Sequence, residues 1–204
     1  MKIPLTRITR RAATTVLAAL CLSTALGAAV AAEPLAPKVK FATSEGDFVV
    51  EVYPEKAPKT VENFLQYVKD KHYDGTVFHR VIDNFMLQGG GYDSSYAEKK
   101  TRAPVVHEGR EALARGGAKN VAGTLAMART SDPDSASSQF FINVKDNDFL
   151  NPSTQAPGYT VFGKVVSGMD IVNKIKALPT GAGGPFPSDV PRTPVVIKSA
   201  TLVN

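Results

Sequence analysis

The chain has 204 residues, with 24 basic and 19 acidic side chains, a formal net charge of +5, one Cys and no Trp. Four of the basic residues and none of the acidic ones fall in the first 32 positions. The remainder carries 20 basic against 19 acidic residues, a balance that excludes a basic nucleic-acid footprint. Cys21 also lies in that leading segment, so the rest has no disulfide or thiol chemistry, and its roughly 170 residues suit one domain with a single core.

Lys2, Arg7, Arg10 and Arg11 precede an unbroken run of apolar and small residues, Ala12 to Val30, and then Ala31-Ala32. A basic n-region, an apolar h-region and an A-x-A site predict a secretory signal peptide over residues 1–32, cleaved after Ala31 or Ala32. Ala12 and Ala13 follow the arginine pair where a twin-arginine signal wants a bulky apolar residue, which favours Sec-type export. Leu20 directly before Cys21 argues against a lipoprotein. One domain, residues 33–204, is expected after cleavage, with no stable membrane association.

Val39 to Tyr53 reads as two β-rich runs around Ser44-Glu45-Gly46-Asp47, a hairpin signal. Ala57 to Asp70 reads as a helix, with Pro58 in its first turn and Val61, Phe64, Leu65 and Val68 at i, i+3, i+4 and i+7. Thr76 to Ile82 and Phe85 to Gly90 read as strands joined at Asp83-Asn84. Gly91 to Asn120 is polar and poorly periodic, and reads as long loops with a short strand near Val105-Val106. Gly123 to Ala128, Ser138 to Val144 and Tyr159 to Val166 read as strands, Met169 to Leu178 as a second helix, and Pro194 to Val203 as a closing strand. Many short strands with two capping helices predict a mainly β fold, a closed antiparallel β-barrel, which removes exposed sheet edges.

The hairpin from Thr76 to Gly90 raises a chemical question. Arg80 and Gln88 are set in an apolar run, "FHRVIDNFMLQGG", with no acidic residue at strand spacing from Arg80. A turn at Asp83-Asn84 places Arg80 across from Met86 or Gln88, and period-two alternation puts these side chains on one face with Phe85 at its edge.

That run, followed by "GTLAMART", "SSQFFINV", "FLN" and "GYTVFG", resembles the cyclophilin family of peptidyl-prolyl isomerases from about Val39 to Val203, in the family's order and spacing. The match is most like the periplasmic bacterial members. It implies an eight-stranded barrel, isomerase activity without cofactor or metal, and periplasmic action as a monomer on proline-containing segments of exported proteins. Arg80 takes the place of the catalytic arginine. Phe85, Met86, Gln88, Gln139, Phe141, Phe149, Leu150 and Tyr159 take pocket positions, and Ala128 and Arg129 fall on the segment that pairs with bound peptide. Phe149 stands where well-known eukaryotic members have Trp, Tyr159 where they have His, and Arg129 where they have Asn. The missing indole N–H implies weak cyclosporin binding.

Isomerisation of an X-Pro amide breaks no bond, so it needs no nucleophile, metal or acid–base pair. It needs a donor for the prolyl nitrogen once the amide twists, a cup for the ring, and strand-like pairing for the peptide backbone along Gly123 to Arg129. Arg80 is the candidate donor, Gln88 the candidate for holding the guanidinium in register, and Phe85, Met86, Phe141 and Leu150 the cup. A proline-binding chaperone module with incidental catalysis is the competing expectation. His79 alternates to the opposite face from Arg80 and reads as a packed strand residue. His72 and His107 form no cluster. Gly89-Gly90-Gly91 reads as tight turning, and Asp132, Asp134, Asp146 and Asp148 as turn residues.

Overall fold

The computed structural model of the protein describes residues 36–203, and the predicted signal peptide with its cleavage site lies outside the described residues. The first hairpin forms as expected. β1 (Lys38–Thr43) pairs with β2 (Asp47–Val52), and the Thr43 hydroxyl closes the turn by donating to the Gly46 carbonyl at 2.6 Å.

Helix α1 (Pro58–Lys69) follows, with Pro in its first turn and Val61, Phe64 and Val68 buried. Ala57 supplies no side-chain cap. The exposed amides at the helix start are met instead by the buried carboxylate of Glu108, which accepts from Lys59 N at 3.2 Å, Thr60 N at 2.8 Å and the Thr60 hydroxyl at 2.8 Å. The segment around Glu108 reads from the sequence as long loops with a short strand near Val105-Val106. It carries an isolated bridge from Val105 to Ala136 and a short helix, α2 (Gly109–Ala114), too brief to show periodicity.

Strands β3 (Arg80–Ile82), β4 (Met86–Gly89), β5 (Thr124–Met127), β6 (Phe140–Asn143) and β7 (Val161–Ser167) come next. Helix α3 (Met169–Lys176) follows, then β8 (Thr180–Gly183), β9 (Phe186–Pro191) and β10 (Ile197–Val203). Two single-turn 3-10 helices, Pro133–Ser135 and Asp148–Leu150, lie in the connections. The β8–β9 hairpin has no counterpart in the sequence reading, and three α-helices stand among the described residues where two were expected.

The fold is mainly β. Eight strands make one antiparallel sheet in the order β10-β1-β2-β7-β5-β6-β4-β3, with β8 and β9 as a separate pair. The sheet curls, and its two ends meet without a continuous ladder. The residues before β3 make a single bridge, Val77 to Val196, together with three backbone bonds: Gly75 N to Ile197 O at 2.8 Å, Ile197 N to Thr76 O at 2.7 Å and Phe78 N to Val195 O at 3.0 Å. The expected strand from Thr76 is accordingly shorter, since only Arg80–Ile82 joins the ladder.

The inner face is lined by fully buried aromatics. Phe41 stacks on Phe48 at 5.0 Å, and Phe140 meets Phe41, Tyr73 and Phe78 at 5.4, 5.5 and 6.1 Å. Gly90 follows β4 with φ +87°, and a Cβ there would stand 2.8 Å from the Tyr73 ring, so this glycine admits the close approach of strand to core. Among the described residues no helix is long and apolar enough to cross a membrane.

Candidate active site

The pleat of β3, β4, β6, β5 and β7 brings one row of side chains together on the outer face of the sheet. Arg80 is registered with Gln88, Gln88 with Phe141, Phe141 with Ala126, and Ala126 with Val161. The intervening residues Val81, Leu87, Phe140, Ile142 and Leu125 point the other way into the core, as period-two alternation requires. Met86, Ala126, Phe141, Leu150 and Val161 form a second buried apolar cluster, with Ile82, Phe85, Ala118, Ala128 and Tyr159 packed at its margin.

Above this cluster lies a cavity of about 130 Å³ lined by Arg80, Phe85, Met86, Gln88, Ala128, Arg129, Phe141, Leu150 and Tyr159. Nine of the eleven candidate residues thus meet at one place. The other two are adjacent. Gln139 accepts a hydrogen bond from the Gln88 amide at 3.0 Å, and Phe149 stands 73% exposed at the rim, stacked on Phe85 with centroids 5.7 Å apart.

The walls are fixed by a chain of buried carboxamides. Asn147 donates to the Phe85 carbonyl at 2.9 Å and to Asn143 Oδ1 at 2.8 Å. Asn143 donates to Asn120 Oδ1 at 3.2 Å, and Asn120 donates to the Leu150 carbonyl at 3.2 Å. Two cup residues from distant loops are therefore tied through the interior. On the far side, Arg129 folds back over the Tyr159 ring at 4.5 Å and donates from Nε and Nη2 to the Gly158 carbonyl at 3.0 and 2.8 Å.

Arg80 behaves differently from Arg129. Its guanidinium lies 6.0 Å from the Phe85 centroid and, among the described residues, makes no side-chain hydrogen bond. No bond from Arg80 to the Gln88 amide oxygen is formed, and the Gln88 amide nitrogen donates to Gln139 at 3.0 Å. An acid does approach: Asp189 in β9 brings Oδ2 to 3.9 Å from Arg80 Nε. Asp83, nearer in sequence, lies 3.4 Å from Lys176 Nζ instead.

Backbone pairing along the whole of β5 is also corrected. This strand is bonded to β6 on one side and β7 on the other, and Ala128 just beyond its end still donates its N–H to the Gln139 carbonyl at 3.0 Å, so beside the cavity the Ala128 carbonyl and Arg129 are the backbone beyond the ladder among the described residues.

The histidines stand apart from this geometry. His79 is buried between Phe186 and Tyr92, with ring centroids 5.2 and 4.7 Å away, and burial pulls its pKa from 6.5 down to about 4. His72 and His107 have ring nitrogens 3.2 Å from the Gly90 and Gly158 carbonyls, and burial lowers both. The acidic residues serve turns and loops. Asp132 accepts from Asp134 N, Asp134 from His107 N, Asp146 from Ala122 N, and Asp148 from the Asn151 amide. Ala126, Val161 and Asp189 are the site components that sequence reasoning missed. The first two share the alternation that marked Ala128 and Phe141, whereas Asp189 left no such trace.

Residues 38–202 match the family described as cyclophilin type peptidyl-prolyl cis-trans isomerase/CLD. The chain belongs to the cyclophilin-type peptidyl-prolyl cis–trans isomerase family. It is 52% identical over 164 residues to a peptidyl-prolyl cis-trans isomerase of Acinetobacter baylyi, covering 80% of this chain and 84% of that one. It is 50% identical over 167 residues to peptidyl-prolyl cis-trans isomerase B of Escherichia coli, covering 80% and 98%. Among solved structures, a Cryptosporidium parvum cyclophilin superposes with a TM-score of 0.65 at 24% identity, over 83% of this chain and 98% of that chain, which bears on the fold alone. A second structure, of a cyclophilin of the same organism in the presence of the dipeptide Ala-Pro, gives 0.64 at 25% identity over 82% and 99%. This cyclophilin is accordingly a peptidyl-prolyl cis–trans isomerase, built on the curled eight-stranded sheet described above.

Proposed function

We propose that the enzyme accelerates X-Pro isomerisation in exported proteins, that residues 1–32 are a signal peptide removed after Ala31 or Ala32, and that residues 33–204 work in the periplasm as a monomer. An X-Pro amide turns over a barrier of about 18–20 kcal/mol, set by its C–N double-bond character. In the twisted amide that resonance is lost, and the prolyl nitrogen becomes a hydrogen-bond acceptor. A donor placed at that nitrogen binds the twisted form more strongly than the planar one, which is what lowers the barrier.

Arg80 is this donor, and the observation that carries the reading is its guanidinium, without a hydrogen bond among the described residues, at the wall of the cavity that Phe85, Met86, Phe141 and Leu150 also line. Met86, Phe141, Leu150 and Phe85 hold the ring, Gln88 and Gln139 brace each other beside it, Phe149 extends the rim, and Ala128 and Arg129 offer backbone to the peptide. Tyr159, meeting Phe141 edge-on at 5.5 Å, closes the wall under the Arg129 guanidinium.

Exchange NMR on a short X-Pro peptide tests the mechanism. Arg80→Ala is expected to lower kcat/KM by about 10²- to 10³-fold, the usual cost of removing one preorganised donor, with the unfolding midpoint unchanged. Full turnover by the variant overturns the role given to Arg80. A wild type that binds the peptide without turning it over points to a proline-binding module. For export, the mass of the protein recovered from the periplasm is expected to begin at Ala32 or Glu33. An uncleaved cytoplasmic chain overturns that part.

A further inference from the structure

The β8–β9 hairpin lies outside the eight-stranded sheet, yet it is anchored beside the catalytic strand. Phe186, at the start of β9, is packed by His79 at 5.2 Å, Tyr92 at 5.0 Å and Tyr96 at 6.3 Å, and His79 immediately precedes Arg80 in the chain. The tip is fitted closely. Gly184 has φ +52°, and a Cβ there would stand 2.5 Å from Tyr96. From this anchor the hairpin carries Asp189 to Arg80.

Asp189 is itself unusual. It is a non-glycine residue at φ +66°, a left-handed conformation that Asp and Asn tolerate better than most residues. Its carboxylate makes its closest approach at the Nε edge of the guanidinium, at 3.9 Å. The other acid near the strand, Asp83, is occupied with Lys176. The ion pair therefore engages the inner edge of Arg80 and leaves the terminal nitrogens for a substrate.

We infer that Asp189 is a positioning residue for isomerisation, holding Arg80 by its Nε edge so that the terminal guanidinium nitrogens face the twisted amide. This rests on the catalytic role proposed for Arg80. The side chains are 44% and 37% exposed, so solvent screens the pair and its effect is modest. Asp189 does not line the cavity, so it acts on turnover rather than on peptide binding.

The test is a double-mutant cycle in the full mature enzyme, read by exchange NMR at enzyme concentrations high enough to follow the weakest variant. Asp189→Asn removes the charge and keeps a residue suited to positive φ. It is expected to lower kcat about two- to five-fold, the range of a partly exposed ion pair, with KM unchanged. In the Arg80→Ala background the same substitution is expected to change nothing, because the group it positions is gone. Asp189→Gly, which also accepts positive φ, should reproduce both results.

An unchanged kcat in Asp189→Asn, alongside a strong loss in Arg80→Ala, overturns this inference alone. An equal loss from Asp189→Asn in both backgrounds also overturns it and assigns the hairpin a purely structural part. Full turnover by Arg80→Ala removes the catalytic reading beneath it as well.

Discussion

The two faces of the curled sheet use the same strands for opposite purposes. Inside, Phe41, Phe48, Phe64, Phe140 and Phe162 are fully buried and packed ring against ring, without a charged side chain among them. Outside, Met86, Ala126, Phe141, Leu150 and Val161 form a smaller patch that stays open to a cavity and has Arg80, Arg129 and Gln88 at its edge. Neighbouring residues on one strand serve different faces, Phe140 the core and Phe141 the cavity. The interior is completed by its own contacts. The exterior patch opens instead to a cavity, at whose wall Arg80 is approached by Asp189 only at its Nε edge.

Substitutions that strike one face and spare the other separate these roles. Phe140→Ala removes a ring that touches Phe41, Tyr73 and Phe78 and should lower stability by about 3–5 kcal/mol. Urea unfolding measures this, and activity per folded molecule should survive. On the role proposed for Arg80, Arg80→Ala should give the inverse pattern, a large loss of turnover at constant stability. If both variants lose stability and turnover together, the two faces are not independent.

A third perturbation acts at the edge between the faces. His79 is neutral when folded, with its pKa near 4, while the unfolded chain takes up a proton near 6.5. The unfolded state thus binds more protons between these values. The stabilisation is intact above pH 6.5, falls as pH drops towards 4, and falls no further below that. The span corresponds to about 3 kcal/mol. His79→Leu should flatten this part of the stability profile, and an unaltered slope would assign the acid sensitivity to other groups.

The smallest effect belongs to Phe149. This ring is mostly exposed and stacks only on Phe85, so Phe149→Ala should leave the unfolding midpoint unchanged and raise KM by no more than about three-fold. A drop in kcat would place Phe149 closer to the reacting amide than the geometry does.

The division between faces also explains what could be read in advance. Within Arg80–Ile82, Met86–Gly89 and Phe140–Asn143 the side chains alternate, although the alternation does not reach Phe78, which joins Val81 in the core. The side that Arg80, Gln88 and Phe141 share therefore follows from spacing. The register did not, because a turn at Asp83-Asn84 fits Arg80 opposite either Met86 or Gln88, and the structure selects Gln88. Contacts brought from afar were illegible. "TGAGGPFPSDVP" has the Gly and Pro content of a loop, yet Phe186 finds an aromatic seat that holds it as a strand. The approach of Asp189 to Arg80 joins residues more than a hundred positions apart, for which no local pattern exists. Gln88 shows the same limit: its amide donates to Gln139, which precedes β6, a contact that the spacing of the hairpin does not contain.

The Glu108 carboxylate has a consequence for how the chain acquires its shape. Helix α1 has a good apolar stripe but no cap of its own, and the residue that completes its first turn lies 48 positions downstream of Thr60. During synthesis the helix sequence emerges well before that acid. Short uncapped helices are marginal in water, so the first turn of α1 depends on a carboxylate from the middle of the chain. The order of the helix start is thereby tied to the placement of the Glu108 segment.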